Sequence, residues 1–479
     1  MSLKPMDVSA DATALAQRVR DGEITAAELT EAAIERVEEV NPKLNAIILP
    51  LFEKARGQAR APRSGSFTGV PYVLKDLSLV SKGDPLVSGI AGVKAAGYRA
   101  DHDSYFVTKM REAGFVLLGR ANSPELGIMG TTEPKTWGST RNPWDVTESI
   151  GGGGGAAAAV ASGMVPVAHG NDGGGSVRMT AGLCGLVGLM PSRGRISSGP
   201  MVHNSDSISG VLREGLLTRS VRDAAAVLDV VGGHCPGDAY CAPGPKRAFA
   251  AEVGVDPGKL RIGVLDTDPT GQVTLHSDCV RAVAAAAEGM ARLGHEVANG
   301  YPEILRAGSW PAAFNACLAV IVSRELERFG RLIGRPLTQD DVEPATWGYA
   351  QAGHQISAVQ YVDGIESLRV QAWETEKWWS EGGWDLLLTP MMPVPTLPRA
   401  ADGAANDESF LAMAVALTRF AMPFNVSGQP AVSLPLYYRD NGMPVGVQLV
   451  AAYGREDLLI RVASQLEAAL PWSNRRPRL

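Results

Sequence analysis

The sequence predicts an α/β/α sandwich, and three observations carry that expectation. Strand-like apolar runs alternate with helical stripes through the first 200 residues, the same rhythm returns near the end of the chain, and the stretch from about 300 to 385 reads as almost wholly helical. Alternation of this kind packs helices against a largely parallel sheet. No repeat and no Gly/Ser linker separates the two α/β stretches, so one domain over residues 1–479 with a helical insertion is expected. Within it, residues 1–60 supply N-terminal helices and 61–200 the core with the candidate catalytic residues. Residues 300–385 form the insertion that walls a pocket, and 420–470 return to the sheet.

Residues 8–41 read as helical, because Thr25 and Glu28 form a capping box and Leu29, Ala33, Val37 and Val40 then fall on one stripe. Ala46-Ile47-Ile48-Leu49 is a short strand. Gly69-Val70-Pro71-Tyr72-Val73-Leu74-Lys75 is a buried-strand pattern that ends on a lysine. Taken alone, such a lysine is more often a side chain that reaches out to water than a buried one. Residues 103–113 predict a helix stopped by Gly114, and residues 115–119 a strand. The alanine-rich run after Gly155 predicts a tightly packed helix, and residues 181–189 a buried small-residue stretch. Further on, residues 261–265 predict a strand, 280–293 a helix, 385–390 a strand, 395–408 a loop, 431–436 and 445–450 strands, and 456–469 a helix. Six of the nine tryptophans fall between 300 and 385, which suits packing first and a pocket wall second.

Composition narrows the class of function. A net charge of -6 with no basic run argues against a nucleic-acid surface. No apolar stretch approaches the roughly 20 residues of a membrane span, and the N-terminus lacks a leader pattern. The five cysteines are scattered, which points to a reducing, cytoplasmic setting. Neither they nor the seven histidines show metal-binding spacing, so no metal or other cofactor is expected.

Two glycine clusters dominate residues 150–195. The first, five glycines at 151–155, is followed by alanines, so it lacks the Lys-Ser/Thr of a phosphate-binding loop. Gly151, Gly153 and Ala156 match a dinucleotide fingerprint superficially, with Asp172 about 20 residues on, but a loop and not a strand precedes them. The second, Asp172-Gly173-Gly174-Gly175-Ser176, can place several backbone N–H groups around one point with a hydroxyl beside them. Acyl transfer needs that combination of nucleophile and oxyanion donors.

Residues 69–195, together with Phe424-Asn425-Val426-Ser427-Gly428-Gln429-Pro430 and Gly442-Met443-Pro444-Val445-Gly446-Val447-Gln448, resemble the amidase signature family over nearly the whole chain. Thr140-Arg141-Asn142-Pro143-Trp144, Val167-Ala168-His169-Gly170-Asn171-Asp172 and the run from Ala451 to Asp457 resemble the branch of lactam-opening 6-aminohexanoate cyclic dimer hydrolases. The resemblance implies a single α/β/α domain around a mixed, mostly parallel sheet, and hydrolysis of a carboxylic amide through an acyl-enzyme by a Ser–Ser–Lys triad. It places the nucleophile at Ser176, the base at Lys75, and the oxyanion donors at the backbone N–H groups of Gly173, Gly174, Gly175 and Ser176. Asp172, Arg178 and Gly153 would brace this loop. Cys317, with one or more of Trp310, Trp347 and Trp373, would line the pocket. The implied partner is a small amide, linear or cyclic, with no nucleic acid and no membrane; a homodimer is the one further partner admitted.

The chain departs from that pattern at the first cluster. Counting back from the alanines, the family's bridging serine falls on Gly152, which has no hydroxyl to relay a proton, and its serine neighbour falls on Gly153. Thr180 and Met190 stand where a proline and a lysine are usual. Two classes of function follow: an amidase, slowed or not, and a non-hydrolytic relative or a variant engineered to trap substrate.

Overall fold

The computed structural model describes residues 10–200, 209–397, 399 and 415–479. Its helices are α1 (Ala12–Arg20), α2 (Ala26–Leu44), α3 (Phe52–Arg60), α4 (Ala91–Ala96), α5 (Tyr105–Glu112), α6 (Gly154–Ala161), α7 (Arg178–Cys184) and α8 (Val221–Val231). They continue with α9 (Ser277–Arg292), α10 (Trp310–Ile333), α11 (Pro344–His354), α12 (Ala358–Ser380), α13 (Met422–Ser427) and α14 (Glu456–Ala469). The strands are β1 (Ile47–Pro50), β2 (Pro71–Lys75), β3 (Val116–Ala121), β4 (Val167–Asp172), β5 (Val187–Met190) and β6 (Arg213–Thr218). β7 (Arg261–Val264), β8 (Glu296–Asn299), β9 (Leu386–Pro390), β10 (Ala431–Tyr438) and β11 (Pro444–Ala451) complete them.

All eleven strands form one sheet in the order β1-β3-β2-β4-β6-β5-β10-β11-β9-β7-β8. The mixed α/β sheet is as expected, but its parallel share is smaller than "mostly parallel" implies. Parallel pairing is confined to β3-β2-β4 on one flank and β9-β7-β8 on the other. The six remaining pairings are antiparallel, and five of them form the block from β4 to β9. Apolar alternation marks a strand but not its direction, so the sequence could not separate the two arrangements.

β11 shows the layering. Gly446 and Gln448 look toward α7: a Cβ on Gly446 would lie 2.4 Å from the Gly182 Cα, and Gln448 accepts a hydrogen bond from Arg178. Val447 and Leu449, on the other side by the two-residue period of a strand, join the main apolar cluster with Leu459 and Val462 of α14. The helical stretch expected at 8–41 is two helices, α1 and α2, parted by Gly22 at φ +72°, and the Thr25–Glu28 capping box opens the second. Most of the loop expected at 395–408 lies outside the described residues. Among the described residues no helix is long and apolar enough to cross a membrane.

Candidate active site

The site forms where β2 and β4 end side by side. β2 delivers Lys75, fully buried, and β4 delivers Asn171 and Asp172. The Lys75 ammonium does not reach water. Its Nζ donates to the Asn171 side-chain oxygen at 2.9 Å and lies 3.5 Å from the Asn171 carbonyl. Burial pushes the Lys75 amine down to about 8, against the pull of the Asp172 and Glu214 carboxylates. The common reading of a strand-end lysine as a snorkelling surface residue therefore fails here.

After Asp172 the chain turns through three glycines into α7. Gly175 has φ +117°, and a Cβ there would meet the Ala421 Cβ at 2.8 Å and the Met179 Cγ at 2.9 Å, so only glycine fits. Asp172 organises the turn. It accepts from the Gly175 N–H at 2.7 Å, the Val177 N–H at 3.2 Å, the Arg178 side chain at 2.9 and 3.0 Å, and the Asn425 amide at 2.9 Å. Burial alone would raise the Asp172 carboxyl, but the Arg178 guanidinium, the Asn425 amide and the Gly175 N–H together hold it well below the usual carboxylate range. Arg178 in turn donates to Gln448 and Asn425 at 2.5 Å each. The loop is thus tied to α13 and β11.

This bracing changes the expected set of oxyanion donors. The Gly175 N–H is turned onto Asp172 and is engaged, whereas the N–H groups of Gly173, Gly174 and Ser176 make no hydrogen bond among the described residues. Ser176 is half-buried and lines the main pocket. Thr180 donates to the Ser176 carbonyl at 2.7 Å, a bond that a proline could not make. Met190 is buried, and its sulfur accepts from Asn425 at 3.3 Å.

The first glycine cluster lies against this turn. A Cβ added to Gly152 would sit 2.9 Å from the Ser176 Oγ and 2.9 Å from the Met129 carbonyl oxygen. Gly152 thus stands beside the nucleophile candidate, where a side chain would point at its hydroxyl. Gly153 differs: its added Cβ would lie 2.4 Å from the backbone oxygen of Ser176. Backbone cannot step aside as a side-chain tip can. Gly153→Ser is therefore expected to destabilise the protein by at least about 1–3 kcal/mol, the usual cost of overpacking, and to displace the Ser176 loop. An unchanged melting temperature and unchanged kinetics would refute that placement.

The pocket holds about 1050 Å³ of empty space, its mouth included. Leu77, the 126–130 loop, Gly173, Gly174, Thr418 and Met422 form one side, and α10 forms the facing wall through Trp310, Phe314, Leu318, Ile321, Val322 and Glu325. Trp310 is among the residues that line it. Cys317 is not: it is buried between α10 and α12, with its sulfur 2.9 Å from where a Cβ of Gly364 would stand. Trp347 packs in the apolar cluster of Val322 and Leu326, and Trp373 is 77% exposed, so neither lines the pocket.

Sequence reasoning also missed three groups. Asn171 stands inside the longer motif from Val167 to Asp172, and nothing in the sequence marks it as the partner of Lys75. Glu214, beside Asn171 across the β4–β6 ladder, accepts from His169 at 2.7 Å and Ser78 at 3.1 Å. Glu125, at the rim of the 126–130 loop, is buried and so pushed up to about 8, and it accepts from the Glu343 N–H at 2.8 Å. Glu214 lies outside the stretches that carry the family resemblance, and within them nothing in the sequence singles out Glu125.

Residues 28–460 match the family described as Amidase. The chain is 51% identical to the 6-aminohexanoate-cyclic-dimer hydrolases of Paenarthrobacter ureafaciens and of Pseudomonas sp. (strain NK87), covering all of this chain and 98% of each relative. A solved structure of 6-aminohexanoate cyclic dimer hydrolase complexed with substrate superposes with a TM-score of 0.95 at 51% identity, covering 98% of this chain and 99% of that one. A bacterial aryl acylamidase of the amidase signature family superposes at 0.85 with 27% identity, covering 97% of each chain. With its mixed eleven-stranded sheet and its match over most of its length, the chain belongs to the amidase family, whose hydrolysis of amide bonds is its activity.

Proposed function

We propose that the chain hydrolyses a small carboxylic amide, linear or cyclic and including lactam oligomers, through an acyl-enzyme on Ser176 with Lys75 as the base. The observation that carries this reading is a pocket wall that holds a half-buried serine with unengaged N–H groups beside it, and Asn171, whose side chain accepts from a buried lysine pushed down to about 8. Neutral Lys75 takes the Ser176 proton, Oγ attacks the amide carbonyl, and the N–H groups of Gly173, Gly174 and Ser176 hold the oxyanion. The proton passes to the leaving amine, and water then releases the acid. Where relatives of the triad pattern carry a bridging hydroxyl, this chain has Gly152, and a water molecule relays the proton between Lys75 and Ser176. The five unpaired cysteines support a reducing, cytoplasmic setting.

The test is turnover of an amide panel that includes a chromogenic anilide and lactam oligomers, together with mapping of a fluorophosphonate label. Label on Ser176 with turnover is the expected result, and label confined to another residue would sink the assignment. A stable acyl adduct without turnover would favour the second reading, a substrate-trapping relative, which Gly152 keeps in play.

Gly152→Ser separates the two. A serine Cβ placed 2.9 Å from both the Ser176 Oγ and the Met129 carbonyl forces a small shift of the 126–130 loop, so the melting temperature should fall by a few degrees. A fixed hydroxyl positions the proton better than a water, so kcat should rise about tenfold or more with little change in KM. A folded Gly152→Ser protein with no gain on any amide would count against the hydrolytic reading.

A further inference from the structure

The buried polar network behind Lys75 has a member that the proton transfer leaves unused. Asn171 of β4 and Glu214 of β6 are direct partners across an antiparallel ladder. Their side chains therefore leave the same face of the sheet, about 5 Å apart at the Cβ atoms. Asn171 is the residue that Lys75 holds, through the side-chain oxygen at 2.9 Å. His169, two residues before Asn171, shares that face and donates from Nε2 to Glu214 at 2.7 Å. Lys75, His169 and Glu214 are all buried.

The charges around Lys75 are unequally spent. Asp172 is taken up by Arg178, which donates to both of its oxygens at 2.9 and 3.0 Å. Asp76, just past β2, and Arg120 of β3 act on one another. Arg120 also reaches the Lys75 carbonyl at 3.4 Å and the Leu79 carbonyl at 3.0 Å. Glu214 differs from Asp172. Its donors are the His169 ring, the Ser78 hydroxyl at 3.1 Å and the Ser198 hydroxyl at 3.2 Å. The His169 Nδ1 meets no hydrogen-bond partner, so a second proton on that ring would be buried without an acceptor. Glu214 is thus a carboxylate held by neutral donors, and no Lys or Arg among the described residues forms an ion pair with it. The cation that feels it is Lys75, whose ammonium Asp172 and Glu214 stabilise against the cost of burial.

We propose that Glu214 is a positioning residue for the base: it is the counter-charge to the ammonium that Lys75 becomes on taking the Ser176 proton, and His169 fixes that carboxylate in place. Glu214 exchanges no proton itself. The proton leaves the Ser176 Oγ, resides on the Lys75 Nζ beside the Asn171 oxygen, and passes to the leaving amine, while Glu214 stays ionised throughout. A buried ammonium without a fixed opposite charge is costly, and that cost would fall on the acylation transition state. The inference rests on the reading of Lys75 as the base.

The test reads Lys75 in two ways. Its titration is followed by NMR of protein carrying isotope-labelled lysine, the Lys75 signal being the one lost in Lys75→Met. Its work is followed as kcat and KM against pH on an amide of the panel. In Glu214→Gln, which keeps the shape and removes the charge, the Lys75 midpoint should fall from near 8 by about one unit or more. Plateau kcat should drop about tenfold, with KM within about twofold of the parent. Glu214→Asp, which keeps the charge, should recover most of the midpoint. A merely structural Glu214 predicts another pattern. It also accepts from Ser78, at φ +65° next to the pocket residue Leu77, so its loss would then move KM and the melting temperature and leave the midpoint alone. An unmoved Lys75 midpoint in Glu214→Gln overturns the proposal, whatever the rates do. A parent protein that cleaves no amide removes the amidase reading alone, and the midpoint still decides whether Glu214 is the partner charge of Lys75. If Glu214→Gln does not fold, the double variant Lys75→Met with Glu214→Gln decides. With its cation already gone, Glu214 is an unpaired buried charge, so the double variant should melt above Lys75→Met, and a lower melting temperature overturns the proposal.

Discussion

Ser176→Ala is expected to lower amide turnover by at least 10³-fold while leaving the melting temperature within about 2 °C of the parent. The side chain is half-buried at a pocket wall and carries no structural hydrogen bond among the described residues, so removing its oxygen costs the fold little. The bracing of the loop passes through the Asp172 carboxylate and not through the Ser176 hydroxyl. Loss of a serine nucleophile removes the covalent route altogether and leaves only what binding and the oxyanion donors supply. Amide binding, followed by calorimetry on the inactive variant, should survive. A variant retaining a tenth or more of parental turnover would show that another group attacks the amide.

Lys75→Met is expected to cost about 10²–10⁴-fold in rate, the usual contribution of a general base, and to do so without weakening the fold. The pH behaviour follows from the direction of its shift. Lys75 is lowered to about 8 in the folded protein, whereas an unfolded lysine titrates near 10.4. Turnover by the parent protein should rise with pH and reach half its plateau near pH 8, because only the neutral amine accepts the proton. Stability runs the same way. Below pH 8 both states carry the ammonium and the folded state bears the full penalty of burying it; between 8 and about 10.4 the unfolded chain binds the extra proton, so stability rises with pH. Lys75→Met removes that penalty, so below pH 8 its melting temperature should not fall below the parent's. A rate profile flat from pH 6 to 9, or a variant with parental kinetics, would make Lys75 a structural residue.

The parts of the site that were legible in the sequence are those where one residue type has few uses. A glycine run ending in Asp-Gly-Gly-Gly-Ser has little to do except turn a backbone around a ligand, and the structure spends Gly175 in that way. Strand β2 and its terminal lysine were legible as a pattern that taken alone favoured an exposed side chain; a buried base followed only from the family resemblance, because depth depends on β4 pairing beside it. Helical periodicity located α10 and its pocket-facing tryptophan. It could not show that Cys317 lies off the pocket, because its sulfur meets the Tyr361 carbonyl of α12, 44 residues further on. Asn171, Glu214 and Glu125 stayed hidden for the same reason: each acquires its role from a partner across a ladder or a loop.

The order of the sheet has a consequence for how the protein is made. Its last two strands, β10 and β11, lie between β5 and β9, in the middle of the sheet. The Arg178 guanidinium that braces the turn before Ser176 is satisfied by Asn425 and Gln448, about 250–270 positions further along the chain. A ribosome must therefore have passed Gln448 before the turn around Ser176 can be locked. Until then two sheet fragments, β1 to β6 and β7 to β9, present open edges to one another and to other chains. Closure over such separations is slow, so recovery of amide turnover should trail recovery of helical signal during refolding. Catalytic competence becomes the last property the chain acquires, and its appearance reports that the central strands have been seated.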